Sequence, residues 1–383
     1  MKNIFIILLI PFLSFSQELF NSQSIYDGVG ELYDWGELRD VNISFYDSNY
    51  DEFLIQSWLD NTKLTLPASL EIDGLFFDSV AVRYKGNSTF YIPFTLGNPK
   101  KPYNIDFNDY DSNQDLMGYN KLKLANTLFD PTCRKEILGY SIYRNYLPSP
   151  EANFMNLHVN EDLLGLYINT EAINTSFLDK HFGESNGVFF KCENQDLFGV
   201  SGGSLTPNLD YRGMDSTLYV ESYELKSESG FKELIDMIYT LNNDIENIEN
   251  HLNVDRVLWY LAVNSCILNA DTYSLVNVRN YYMYQTENGQ FQIIPWDVSE
   301  SFIGALTFWW GDVENLHEAS PYFGYDPYIE DRPLIYNLLQ NDLYRKIYDS
   351  HIRTIMNDFI NTGYFEDRAE DLGDLSYDSA QND

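Results

Sequence analysis

From about Val41 to Phe107 the chain alternates apolar and polar residues. VNISFYD has the two-residue period of a half-buried strand, LPASLEIDGLFFDSVAVRYKG reads as a hairpin, and KPYNIDF as another short strand. From Pro131 the period turns helical, with Ile137, Leu138, Ile142 and Tyr143 on one face, and Asp130 before Pro131 marks the start. ANFMNLHVNEDLLGLYINTEAI predicts two strands around a tight turn at Asn160–Asp162. NTSFLDKHFG predicts a short helix closed by Gly183. Residues 194–222 are rich in Gly, Ser and Asp and read as a loop or insertion. Phe231 to Asn269 is mostly helical. NYYMYQTENGQFQIIPWD is a hairpin turning at Asn288–Gly289, and the remainder past Gly304 is helical with a polar end. No internal repeat is visible.

This order predicts an α+β chain of two lobes, with a ligand cleft between them. The expected divisions are an N-terminal extension over 17–40, a strand-rich lobe over 41–173, a mainly helical lobe over 174–365 and a polar tail over 366–383. Residues 1–16 read as a signal peptide: Lys2 precedes the apolar IFIILLIPFLSF, which is too short to span a bilayer, and cleavage is expected between Ser16 and Gln17. Export to the cell surface, periplasm or exterior is therefore expected, with no transmembrane segment in the mature chain.

Composition narrows the partners. The 383 residues are 44% hydrophobic and 16% aromatic, enough for a sizeable core and unlike a disordered acidic tail. A formal net charge of −34 argues against nucleic acid and against anionic lipid. It fits a soluble protein in a salty or extracellular setting, and solubility alone accounts for it. Cys133, Cys192 and Cys266 cannot form a disulfide framework and include no CxxC pair; buried free thiols are expected, and one bridge plus a free thiol is the alternative. The five histidines lack HExxH or zinc-ligand spacing.

Several stretches carry candidate chemistry. RYKGNSTF ends a strand in Lys85–Gly86 and continues in small polar residues; backbone N–H groups beside the glycine can cradle a phosphate, with Arg83 and Lys85 adding charge. It is neither a Walker A loop nor GxGxxG, and an ordinary hairpin turn explains it as well. Lys100 and Lys101 open the KPYNIDF strand, where an inward lysine could meet a phosphate and pair with Glu136; an exposed strand end is the other reading. Asp271, Asn277, Asn280 and Asp297 form an oxygen-rich set suited to Mg²⁺ or Mn²⁺ if the hairpin gathers them, and turn caps if it does not. In NDYDSNQDLMG, Asp109, Asp111, Asn113 and Asp115 alternate like calcium ligands, but Gln114 stands where an EF-hand loop needs Gly and Asn120 where it needs Glu, so a solvated acidic loop is favoured. GVSGGS lacks the strand-to-helix setting of a nucleophile elbow.

Taken in order, RYKGNSTF, KKPYNIDF, KLKLANTLFDPTCRKEILGYSIYRNYL, GLYINTEAINTSFLDKHFG, GVFFKCE, NADTYSLVNVRNYYMYQ and FQIIPWDVSESF resemble the spore coat protein H (CotH) family of atypical secreted protein kinases. The resemblance runs from about Val41 to Gly304 and fades beyond. It implies a divergent kinase-like fold that transfers the γ-phosphoryl group of ATP, with Mg²⁺ or Mn²⁺, to Ser or Thr of an exported or surface protein. Arg83, Lys85, Gly86, Asn87 and Ser88 would lie over the phosphates. Lys101 and Glu136 would form the Lys–Glu pair, Glu171 would sit near the nucleotide where the chain crosses between lobes, and Lys191 would contact nucleotide or an acidic partner. Asp271 would be the catalytic aspartate, and Asp297 with Asn280 the metal ligands.

The chain departs from ordinary kinases in lacking HRD and DFG. Val276 occupies the metal-binding Asn position counted from Asp271, and Ser299 stands where many relatives carry a further carboxylate. A catalytically inactive surface-binding module, using aromatics such as Trp309–Trp310 for glycan or protein contact, is the alternative.

Overall fold

In the computed structural model, residues 25–193, 206–269, 271–274, 278–302, 320–322 and 332–383 are described. The signal-peptide stretch, GVSGGS, Val276, Asn277 and Trp309–Trp310 lie outside them. The chain is mixed α+β. Its elements run β1 (Arg39–Phe45), α1 (Tyr50–Leu59), β2 (Leu66–Ile72), β3 (Leu75–Tyr84), α2 (Ser88–Thr95), β4 (Tyr103–Asp106), β5 (Lys121–Ala125), α3 (Lys135–Tyr143), β6 (Ala152–Val159), β7 (Asp162–Thr170) and α4 (Thr175–Phe182). There follow β8 (Phe189–Cys192), β9 (Glu224–Leu225), α5 (Phe231–Asn243), α6 (Val254–Cys266), β10 (Tyr281–Gln285), β11 (Phe291–Pro295), α7 (Pro333–Leu339), α8 (Asp342–Ile355) and α9 (Tyr364–Gln381).

The first seven strands close into a barrel in the order β1-β2-β3-β4-β5-β7-β6. Closure is made by β1 lying parallel to β6, whereas the other neighbours are antiparallel. The alternation read from the sequence becomes inside and outside. Val82, Tyr84, Tyr103, Ile105, Leu122 and Leu124 fill the barrel, joined by Leu54 of α1 and Phe90 of α2. Arg83, Asn104 and Lys123 lie in register across β3, β4 and β5, on the opposite face. A second sheet, β11-β10-β8-β9, belongs to the helical half. Its core takes in α3, α5, α6, α7 and the outward residues Phe154, Leu166 and Ile168 of the barrel, so one apolar cluster joins the two parts.

Local signals explain most element ends. Asn174 caps α4 by accepting from Phe177 N at 3.1 Å, and Gly183 closes it at φ 71°. The Pro131 start is corrected: the helix begins at Lys135. Asp130 spends its carboxylate on the preceding turn, accepting from Thr132 N at 3.0 Å and Lys135 N at 2.8 Å. The strand-like region also contains α1 and α2, and most of the polar tail over 366–383 lies within α9. All three cysteines are free.

Leu122 is fully buried in the barrel. Leu122→Ala should therefore lower unfolding free energy by about 3 kcal/mol in urea titrations. A loss under ~1 kcal/mol would mean that the barrel interior is not a packed core.

Candidate functional site

The outward residues of β3–β5 make the most unusual feature of this acidic chain. Arg83 and Lys85 from the end of β3, Lys121 from β5 and Lys191 from β8 all lie within electrostatic reach of Lys123 on β5. The recess they form is partly closed by the second sheet, where the Trp296 ring lies 6.0 Å from the Lys123 amine. Desolvation and then Lys85, Arg83, Lys191 and Lys121 push Lys123 well below the ordinary lysine range. Its amine donates to Asn104 Oδ1 at 3.1 Å. Lys191 is held differently: burial alone would lower it, but its ion pair with Glu193 holds it above the ordinary value.

Two carboxylates stand at one end of this cluster. Glu136 of α3 is buried and accepts from the Thr170 hydroxyl at 2.5 Å. Desolvation and then Asp297 raise it to about 7, against the pull of Lys85. The Lys85 amine is lowered by burial and raised back by Glu136 and Asp297. Lys85, not Lys101, is thus the amine within electrostatic reach of Glu136. Lys101 shares the inward parity of Tyr103 and Ile105, so its side chain enters the barrel end. There it pairs with Asp51 of α1 at 3.0 Å and lies 5.3 Å from the Tyr84 ring centroid. The expected Lys101–Glu136 pair is corrected accordingly.

The hairpin β10–β11 gathers the acidic set. Trp296 N donates to Asn280 O at 3.2 Å beyond the last ladder pair, which sets Asn280 and Asp297 at its open end. Both adopt left-handed backbone, at φ 63° and 48°, a conformation that Asn and Asp tolerate better than most residues. Asn280 Nδ2 donates to Asp271 O at 2.7 Å and to Asp271 Oδ2 at 3.1 Å, leaving Asn280 Oδ1 as the acceptor. Asp271 is gripped by Arg279, with Nε to Oδ1 at 3.0 Å and Nη2 to Oδ2 at 2.9 Å. Asp297 Oδ1 accepts from Ser299 Oγ at 2.7 Å, so the serine orients the carboxylate.

These residues fit a magnesium-type ion only in company. Among the described residues, no group of three or more His, Cys, Asp or Glu converges on a metal. Asp297 and Asn280 Oδ1 are hard oxygen donors, and Mg²⁺ commonly takes one or two carboxylates plus waters and substrate phosphates. In the calcium-like loop, Asp111 and Asp115 instead accept from Asn113 N at 3.0 Å and Gly118 N at 2.7 Å, which shapes turns.

Beside the cationic recess, a cleft of about 250 Å³ opens where β7 passes into α4; Lys121, Tyr119, Asp27, Glu171, Phe177 and Lys180 help to line it. Glu171 accepts from Lys180 at 3.1 Å and from Glu151 N at 3.1 Å, and Lys180 also donates to Glu151 at 2.6 Å. Gly86, at φ 77°, turns the chain from β3 toward α2: Asn87 precedes the helix and Ser88 opens it. A Cβ on Gly86 would fall 2.2 Å from Thr89 Oγ1, so the approach is one that glycine suits.

Lys121, Lys123, Glu193 and Arg279 are absent from the sequence-derived site. The alternation in KLKLA already put two lysines on one face opposite Leu122 and Leu124; only the fold shows which way that face points.

A family model described as CotH kinase protein matches residues 82–383, most of the chain, and the protein belongs to that family. Inner spore coat protein H of Bacillus subtilis (strain 168) is 24% identical over 276 residues, 70% of each chain. The match extends through α9, so the likeness does not fade at Gly304; it begins inside β3, after β1, α1 and β2.

Two outcomes follow from the charges. Lys123→Met removes a cation opposed by four others, and should raise the stability of the ligand-free protein by roughly 1–2 kcal/mol in chemical denaturation; a loss of stability would show that the amine is better paired than its surroundings indicate. Burial raises Glu171 from its ordinary 4.5 to about 7. The unfolded chain therefore releases this proton at lower pH, and stability is lost as pH rises from 4.5 to 7. Across that window wild type should lose up to ~3 kcal/mol relative to Glu171→Gln; a pH-independent difference between the two would contradict this.

Proposed function

We propose that this protein is a kinase that transfers the γ-phosphoryl group of ATP to a Ser or Thr hydroxyl of an exported protein. The observation that carries the reading is the convergence of Arg83, Lys85, Lys121, Lys123 and Lys191 beside Glu136 and Asp297 in a chain of net charge −34. Five cations suit a triphosphate even though Lys121 pairs with Asp106 and Lys191 with Glu193, since Arg83 and Lys123 add charge that these carboxylates do not match. The barrel and the helical half would then correspond to the two lobes of a divergent kinase-like fold. The base and ribose would occupy the cleft at Glu171, with the phosphates running from Lys121 past Lys123, Arg83 and Lys191 to Lys85.

In this arrangement Lys85, oriented by Glu136, holds the terminal phosphates, while Gly86, Asn87 and Ser88 cover them with backbone N–H groups. Asp297 and Asn280 Oδ1 would hold a divalent cation, which when bound neutralises phosphate oxygens. Asp271, fixed by Arg279 and Asn280, orients the acceptor hydroxyl and takes its proton. The acceptor oxygen bonds to the γ-phosphorus, the bond to the β-phosphate oxygen breaks, and ADP leaves. Catalysis of this kind rests on positioning and electrostatic stabilisation.

One observation favours a second reading. The two-pronged Arg279 grip occupies both Asp271 oxygens, which suits a nucleotide-binding module without catalysis. The apolar leader and the coat-protein relative support a place of action outside the cytoplasm. Among the described residues, no helix is long and apolar enough to cross a membrane.

Incubation with γ-labelled ATP and Mg²⁺ or Mn²⁺ should label an acceptor protein. Asp297→Ala should reduce labelling about 100-fold or more. Equal labelling by both would remove Asp297 from the mechanism. A rise in melting temperature with ATP and metal, without any transfer, would select nucleotide binding without catalysis, and no shift at saturating nucleotide would favour the surface-binding module.

A further inference from the structure

We infer that the C-terminal helix α9 is a positioning element for Glu136, acting through Arg134 seated on Gly373. The catalytic consequence rests on the proposed phosphoryl transfer, but the mechanical claim does not.

Glu136 lies in the first turn of α3, two residues after Arg134, which precedes the helix. The Arg134 guanidinium donates to Ala369 O at 3.0 Å, an oxygen of α9. It rests so close to Gly373 that a Cβ there would fall 2.7 Å from Nη2 and 2.9 Å from Cζ. Glycine is a poor residue for a helix interior, and alanine is a better helix former. Gly373 is therefore best explained by the guanidinium that occupies its missing side chain's space.

Further contacts make α9 a brace along α3. Tyr364 Oη donates to Ser141 Oγ at 3.2 Å near the far end of α3. On α3's other side, Gly139 approaches the turn after Asp297, where an added Cβ would fall 3.0 Å from Val298 Cγ2. The helix bearing Glu136 is thus held between α9 and the segment bearing Asp297. α9 is itself fixed at both ends: Arg368 lies 3.3 Å over the Trp35 ring, and Asp383 accepts from Lys100 at 2.6 Å. Shifting the Arg134 seat would loosen α3 at the turn that carries Glu136, and with it the carboxylate within reach of Lys85.

The test is Gly373→Ala in the full chain. The clash is with the flexible end of an arginine, so the guanidinium is displaced while the helix keeps its fold. Hydrogen exchange should show the amides of residues 135–143 exchanging about ten-fold faster, with barrel amides unchanged. The kcat for phosphoryl transfer should fall about ten-fold, with the KM for ATP within two-fold of wild type. Arg134→Ala alone should give the same selective loosening, and adding Gly373→Ala to it should change nothing further. Unchanged exchange of residues 135–143 in both single variants overturns the proposal, as does a full additional loss when the two are combined. If α3 loosens as expected but wild type transfers no phosphate, the brace stands and the kinase reading falls.

Discussion

The site depends on like charges being held together. Lys85, Lys121, Lys123, Lys191 and Arg83 repel one another, and desolvation in the recess adds to that cost. The barrel imposes the arrangement by fixing strand parity. Leu122 and Leu124 must face inward to fill the core, so Lys121 and Lys123 must face outward together. Only part of the repulsion is relieved within the chain, through Asp106 paired with Lys121, Glu136 and Asp297 near Lys85, and Glu193 beside Lys191. A polyanionic ligand would relieve the rest, which is why a charge distribution costly to the free protein supports a binding function.

Around this recess the acidic groups divide by what grips them. Lys180 joins Glu151 and Glu171 into a buried network where β7 leaves the barrel. Arg279 and Asn280 hold Asp271, and Ser299 orients Asp297. The serine that stands in place of a second carboxylate therefore contributes orientation rather than charge. If a cation binds as proposed, more of its coordination would fall to phosphate oxygens and water, and metal and nucleotide binding would be strongly linked.

Much of this was legible in the residues. The hairpin around Asn288–Gly289 and the helix closed by Gly183 carry turn chemistry that works locally, and both form where the sequence places them. The family was legible because its motifs keep their order along the chain. Barrel closure was not, since the parallel pairing of β1 with β6 joins segments more than a hundred residues apart and leaves no local pattern. Adjacency in KKPYNIDF says nothing about which face of a strand meets α3, so it does not place Lys101. The converse holds for Lys123: KLKLA looks like an ordinary half-buried strand until the fold brings Lys85 and Lys191 to its polar face.

We propose that the recess binds a chain of phosphates. Isothermal titration of the protein with ATP, ADP and AMP, each with Mg²⁺ and at several salt concentrations, tests it most directly. Affinity should fall at least ten-fold with each phosphate removed, and ATP binding should weaken steeply with salt. Equal affinity for ATP and AMP, or no binding of any of the three, would contradict the account.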